Sequence, residues 1–293
     1  MAGWFANSTS GISVSKGVLY VVATPIGNLD DFSARAVETL KRVDLIAAED
    51  TRHSCPLLRR YGIDTPMRAL HQHNEQAQLA PLLAFLDGGR SIALISDAGT
   101  PLISDPGFPL VRAVAERGGR IVPVPGASAM ACALSAAGLP TDRFLFVGFP
   151  PRSASQRRAW LQALASEEST LIFYESGHRV VDSLADMAQL FGASREGVVA
   201  RELTKLHETF LRGSLGSLFD RVQEDTNQRK GEFVILIAGA ESVADRRIEV
   251  DVERLLAMLL AELPLKQAVA LAARISGGKK NKLYKQALEI VGG

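Results

Sequence analysis

Directly after the apolar run SIALI, the stretch Ser96 to Gly107 reads SDAGTPLISDPG. Its glycines and small residues let backbone amides and carbonyls approach a ligand closely, and Asp97, Thr100, Ser104 and Asp105 offer hydrogen bonds. Two carboxylates and no lysine rule out a phosphate cradle, so a cationic or hydroxyl-rich ligand suits it. A second loop, TPIGN at Thr24 to Asn28, carries one glycine, Gly27. A dinucleotide fingerprint needs three, and a phosphate loop needs Gly-Lys-Ser/Thr.

Other polar clusters read two ways. AEDTRH, Ala48 to His53, suits a helix N-terminus capped by Asp50 or Thr51 with Arg52 paired to a neighbouring acid, or a site. HQHNE, His71 to Glu75, sets two histidines at i and i+2, but spacing supplies no third ligand, so no metal is expected. There His71, Asn74 and Glu75 either contact substrate or hold loops together. From Lys266 to Lys285 the charges are Lys266, Arg274, Lys279, Lys280, Lys282 and Lys285, with no acid among them. That pattern marks an RNA-backbone contact or a solvated helix face.

The elements that must position these groups follow from hydrophobic patterning. GVLYVVAT, DLIAAED, SIALISD and RIVPVPG alternate with helical patterns, which argues a mostly parallel sheet with helices on its faces. Ligands then collect outside the carboxyl ends of the strands, where the polar loops lie. Beyond Gly138-Leu139-Pro140, RFLFVGF, STLIFYES, EGVVARELT, ETFLRGS and GEFVILIAG read as a mixed sheet with hairpins. Helices are expected around Ser155 to Ser166 and His178 to Phe191. The expected organisation is a mobile N-terminal tail over 1–16, α/β domains over 17–137 and 138–240 with a cleft between them, and a basic helical RNA-binding domain over 245–293. That last region is read as helices over Asp251 to Leu263 and Leu265 to Ile275, a Gly277-Gly278 break, and a final helix ending near Ile290.

Totals narrow the function classes. A chain of 293 residues is long for one core, and a formal charge of +1 announces no global field for nucleic acid, leaving only local patches. Cys55 and Cys132 sit in no metal or redox spacing, which fits a reducing cytosolic compartment. The start has no signal-peptide pattern, and no apolar run approaches the roughly 20 residues of a membrane helix.

Taken in order, TPIGN, AEDTRH, HQHNE, SDAGTPLISDPG, VPGASA (Val124 to Ala129), FYESGHR (Phe173 to Arg179), ARELTK (Ala200 to Lys205) and KGEFV (Lys230 to Val234) resemble one family. It is the bacterial ribosomal RNA small-subunit methyltransferases I, cytidine 2′-O-methyltransferases of the tetrapyrrole methylase superfamily. The likeness runs from about Gly17 to Gly239, and the basic tail is similar to that family's C-terminal helical domain. It implies S-adenosylmethionine bound in the cleft of a homodimer, with small-subunit ribosomal RNA as partner. By the same resemblance Pro25, Ile26 and Gly27 wall the cofactor. Asp97, Ala98, Gly99, Thr100 and Ile103 surround its methionine and ribose, Ser128 and Ala129 line the pocket, and Phe173, Tyr174, Arg201 and Leu203 neighbour the adenosine.

Methyl transfer to a ribose hydroxyl needs the acceptor oxygen in line with the methyl–sulfur bond, and a base or cation beside the weakly acidic hydroxyl. Asp50, Glu75, Glu175 and Glu202 are possible bases, and Arg52, Arg179, Arg201 and Lys205 can stabilise the alkoxide or hold phosphate. A lysine whose pKa burial had lowered could also serve as base. The neighbourhoods of Glu175 and Lys205 are favoured. Two rivals stand beside this reading: a methyltransferase of a corrinoid or sirohaem precursor, and a non-enzymatic ribosome-assembly protein on a methylase fold.

Overall fold

The computed structural model describes residues 17–241 and 252–292. The expected mobile tail over 1–16 lies outside the described residues, as does the start of the expected helical domain at 245. The chain divides into two compact units, Met1–Gly239 and Ala240–Gly293.

The first unit opens with β1 (Val18–Val22), α1 (Ala34–Arg42), β2 (Leu45–Ala48), α2 (Thr51–Arg60), β3 (Met67–Ala69), α3 (Glu75–Asp87), β4 (Ile92–Ile95), α4 (Phe108–Glu116) and β5 (Arg120–Val124). The five strands pair in the order β3-β2-β4-β1-β5, all parallel. LIAA of β2 and IALI of β4 are buried throughout, as strands covered on both faces must be. Leu40 of α1 and Leu58 of α2 pack on one face of the sheet, and Leu82 of α3 and Leu110 of α4 on the other. The chain therefore leaves β1 toward one edge and leaves the adjacent β4 toward the opposite edge. The loops after these two strands meet at the switch point, where open α/β sheets bind ligands. β3, three residues long at the edge, escapes sequence periodicity altogether.

The chain continues through α5 (Ala129–Ala137), β6 (Phe144–Gly148), α6 (Ala154–Leu164), β7 (Thr170–Ser176), α7 (Val180–Phe191), β8 (Glu196–Arg201), β9 (Thr209–Ser214), α8 (Leu215–Glu224) and β10 (Glu232–Ile237). Their sheet has the order β6-β7-β10-β8-β9, with β6 and β7 parallel and the remaining pairs antiparallel. α6, α7 and α8 cover one face around Phe173 and Ile235, and α5 packs through Ala133 and Ala137 on the other. Ile26, from the loop after β1, joins that α5 core, so the two sheets share one compact unit.

The second unit folds α9 (Val252–Glu262), α10 (Leu265–Ser276) and α11 (Lys280–Gly292) around Leu256, Val269, Ala272, Leu283 and Ala287. Gly277, at φ +68°, ends α10 in the left-handed conformation that glycine adopts without a Cβ penalty. Lys279, Lys280, Lys282 and Lys285 are exposed at the start of α11.

Candidate active site

At the switch point the loop after β1 and the loop after β4 are stitched by paired backbone hydrogen bonds. Thr24 N donates to Gly99 O at 2.9 Å, and Gly99 N donates to Thr24 O at 3.1 Å. Gly99 sits at φ +81°, and a Cβ there would lie 3.1 Å from Ile26 Cγ2, so the position needs glycine both for its backbone and for close packing. Thr100 Oγ1 donates to Ala127 O at 3.0 Å, fixing the far end of the loop to the approach to α5.

The TPIGN loop turns out to hold a piece of the second sheet. Asn28 N donates to Thr204 Oγ1 at 3.1 Å, and the stem of Lys205 lies so close that a Cβ on Gly27 would be 2.4 Å from Lys205 Cγ. The glycine is there to let the 202–205 turn dock. Leu102, Ser104, Glu202 and Thr204 are the non-glycine residues with positive φ among the described residues; the first two fall in the loop after β4 and the others in the 202–205 turn. Such backbone costs about 1–3 kcal/mol per residue and persists where the surroundings over-determine it, as at ligand sites.

Between the loops lies a cavity of about 410 Å³, within the usual range of ligand sites. Ile26, Asp97, Ala98, Gly99, Thr100 and Ile103 line it from the first sheet. Ser128 and Ala129 at the start of α5, Tyr174 and Leu203 line it from the second. Tyr174 accepts a hydrogen bond at its hydroxyl from Met130 N at 3.2 Å, which holds the first turn of α5 against the cavity. Pro25 and Gly27 stand beside the cavity without lining it, Gly27 facing the Lys205 stem instead.

Phe173 and Arg201, expected beside the adenosine, face away from the cavity. The Phe173 ring is fully buried on the opposite face of β7, against Trp160 and Phe191 at 5.8 and 6.4 Å, because successive residues of a strand face opposite sides. Arg201 donates to Lys230 O at 2.7 Å and His207 O at 3.2 Å instead.

The lining carries five carboxylates, Glu49, Asp97, Asp105, Glu175 and Glu232, and no lysine, arginine or histidine. Asp50 N donates to Asp97 Oδ1 at 3.0 Å and Asp97 N to Glu49 Oε2 at 3.4 Å, so the acids of the first sheet are held together. Burial pushes Asp105 up to about 7, with Glu49 and Asp97 repelling its charged form and Ser96 pulling the other way. Burial raises Glu49 as well. In the sequence Asp105 is visible only as a hydrogen-bonding residue; its burial among acids is a property of the fold.

The residues favoured as bases are occupied. Glu175 is buried, with Oε1 accepting from Ser176 N at 2.8 Å and Oε2 from Arg179 at 3.0 Å and Ser183 Oγ at 2.5 Å. Saturated in this way, it braces the start of α7. Burial pulls the Lys205 ammonium down, but hydrogen bonds to Glu232 and Glu202, at 2.8 and 2.9 Å, outweigh that and hold it above its ordinary value. It stays a cation. Despite partial burial, Glu202 is held below its ordinary value by Lys205 and the Glu232 amide. Asp50 caps α2 and pairs with exposed Arg52 at 2.7 Å, which keeps its carboxyl well below the usual range. Neither Asp50 nor Arg52 lines the cavity. Glu75 accepts from Gly107 N at 3.1 Å and Asn74 from His71 N at 2.8 Å, so HQHNE holds the end of the Ser96–Gly107 loop. Among the described residues no group of three or more His, Cys, Asp or Glu side chains could hold a metal.

The model of the Tetrapyrrole (Corrin/Porphyrin) Methylases matches residues 18–218, and that of the RsmI C-terminal HTH domain matches 247–290. The chain is 55% identical over 277 residues to the ribosomal RNA small subunit methyltransferase I of Pseudomonas aeruginosa, covering 94% of this chain and 98% of that protein. The chain belongs to this methylase family. Its Escherichia coli O157:H7 relative of the same name is 55% identical over 275 residues, covering 94% and 96%. Among solved structures, cobalt precorrin-4 methyltransferase aligns at TM-score 0.55 and 16% identity over 78% of this chain and 97% of that one, a likeness of fold alone. The methylase match runs from β1 into α8, covering the first sheet and all of the second but β10, and the helical unit carries the second match.

Proposed function

We propose that the protein transfers a methyl group from S-adenosylmethionine to small-subunit ribosomal RNA, at the ribose 2′-hydroxyl of a cytidine, acting as a cytoplasmic homodimer. The observation that carries the reading is the acidic cavity at the switch point, whose lining includes no lysine, arginine or histidine. Its relatives named ribosomal RNA methyltransferases direct the substrate to RNA rather than to a tetrapyrrole precursor. The same division of labour supports parts 17–137 and 138–240 around the cofactor and 245–293 for RNA.

The cavity fits the cofactor: carboxylates face a ligand with a sulfonium and an ammonium, Leu203, Ile26 and Val234 give an apolar wall for an adenine, and Gly99 lets backbone approach closely. When bound, S-adenosylmethionine supplies an activated methyl group. Asp97, Ala98, Thr100 and Ile103 would hold its methionine and ribose, and Tyr174, Ser128, Ala129 and Leu203 its nucleoside. Asp105, on the cavity wall, would take the proton of the acceptor hydroxyl as that oxygen received the methyl group the cofactor would supply. That carboxyl, balanced near neutrality by burial, suits proton transfer at working pH. The strained loops would hold the lining groups in place around the reacting atoms.

Calorimetric titration with S-adenosylmethionine tests the enzymatic reading: binding is expected, and its absence would favour a non-enzymatic assembly protein. Digestion of labelled subunits to nucleosides tests the finer statement. Label in 2′-O-methylcytidine supports it, and label on a base or another nucleoside overturns it.

A further inference from the structure

A second cavity, of about 730 Å³, opens on the other side of the 202–205 turn, lined by Arg201, His207, Asn227, Gln228 and Lys230 with Leu206 and Glu208 at its edge. Leu203 of that turn faces the cofactor cavity, so one strained turn separates the two. Arg201 is 9% exposed, its Nε and one terminal nitrogen held by the carbonyls of Lys230 and His207. Those bonds leave the second terminal nitrogen of the fork for a ligand. Gln228 lines the cavity, its Oε1 buried beneath the surface without a hydrogen-bond partner. The one acid, Glu208, is engaged by Thr204 N at 2.6 Å. Leu206, 93% exposed, offers an apolar surface at the rim.

RNA is a polyanion, and the lining of the cofactor cavity offers its phosphates no cation. A strand delivering one ribose there must be gripped by cations next to it. On the reading that the substrate is RNA, we infer that the second cavity holds a nucleotide flanking the methylated one, its phosphate on Arg201 and Lys230. The remaining terminal nitrogen of Arg201 and the Lys230 ammonium can each donate a charge-assisted hydrogen bond to a phosphate oxygen.

The test uses the full chain with S-adenosylmethionine and undermethylated small ribosomal subunits, comparing the parent with Lys230→Gln and with Arg201→Lys. Lys230 is exposed, so its variant keeps the fold, and Arg201→Lys keeps the charge while removing the fork. Lys230→Gln is expected to raise KM for subunits about tenfold, with kcat and cofactor affinity at the parent's values, and Arg201→Lys to raise KM at least as much. Removing the Lys230 charge should lower the salt dependence of subunit binding by about 0.7–0.9 in log–log slope. Parent-like KM and salt slope in Lys230→Gln, with the parent methylating normally, would overturn the flanking site and leave the RNA reading standing. A parent that neither binds nor methylates subunits would overturn both.

Discussion

Two regions of the molecule divide its charge. The cofactor cavity gathers five carboxylates and no cation, whereas Lys279, Lys280, Lys282 and Lys285 stand exposed on the helical unit and Arg201 and Lys230 line the second cavity. A net charge of +1 conceals this partition completely. On the proposed function a small cation and a large anion would meet separate surfaces, so substitutions in one should leave the other's ligand untouched.

The strongest perturbation is expected at the brace of the cavity. Glu175→Ala leaves Arg179 and Ser183 without their partner and should destabilise the fold by about 3–5 kcal/mol, read as a lower midpoint in urea. A stable Glu175→Ala protein with turnover abolished would return Glu175 to the chemistry. Next comes Gly99→Val, which forces a left-handed β-branched residue against Ile26 and should weaken cofactor binding about thirtyfold, ~2 kcal/mol. Subunit binding in the absence of cofactor should stay as in the parent.

On the anionic side, replacing Lys279, Lys280, Lys282 and Lys285 with glutamine should weaken subunit binding and flatten its salt dependence by about 0.7–0.9 for each phosphate no longer neutralised. Calorimetry should return an unchanged cofactor affinity. A quadruple variant that binds and methylates like the parent at every salt concentration would make these lysines a solvated helix face.

The smallest effect concerns stability and pH. Asp105 is raised by burial, so the folded state binds its proton more tightly than the unfolded chain does. The stability this contributes is present below the unfolded value of about 4 and is lost as pH rises through about 7. Asp105→Asn should therefore raise Tm relative to the parent at pH 8 and change it little at pH 4. Equal differences at both values would place Asp105 in a solvated setting.

Much of this is legible in the residues alone, and the failures have physical causes. β2 and β4 announce themselves as short apolar runs ending in polar loops, and SDAGTPLISDPG marks the cavity's main loop. Phe173 escapes a correct placement because TLIFYES is apolar on both faces, which erases the alternation that would separate it from Tyr174. Glu175 and Lys205 look chemically available in the sequence, but the turn into α7 folds Arg179 and Ser183 back onto Glu175, and β10 brings Glu232 to Lys205 from 27 residues away. Asp105 is the reverse case. Its burial, and the repulsion from Glu49 and Asp97, arise only when the loops after β2 and β4 meet.

Single-turnover methyl transfer from labelled S-adenosylmethionine to undermethylated small subunits, run on the parent and Asp105→Asn with bound cofactor quantified in both, tests the central claim most directly. The parent should label the subunits with a rate that rises through about pH 7. Asp105→Asn should bind cofactor yet transfer about 10²- to 10⁴-fold more slowly, without that rise. Labelling by Asp105→Asn at the parent's rate, or unlabelled subunits with a cofactor-loaded parent, would contradict the account.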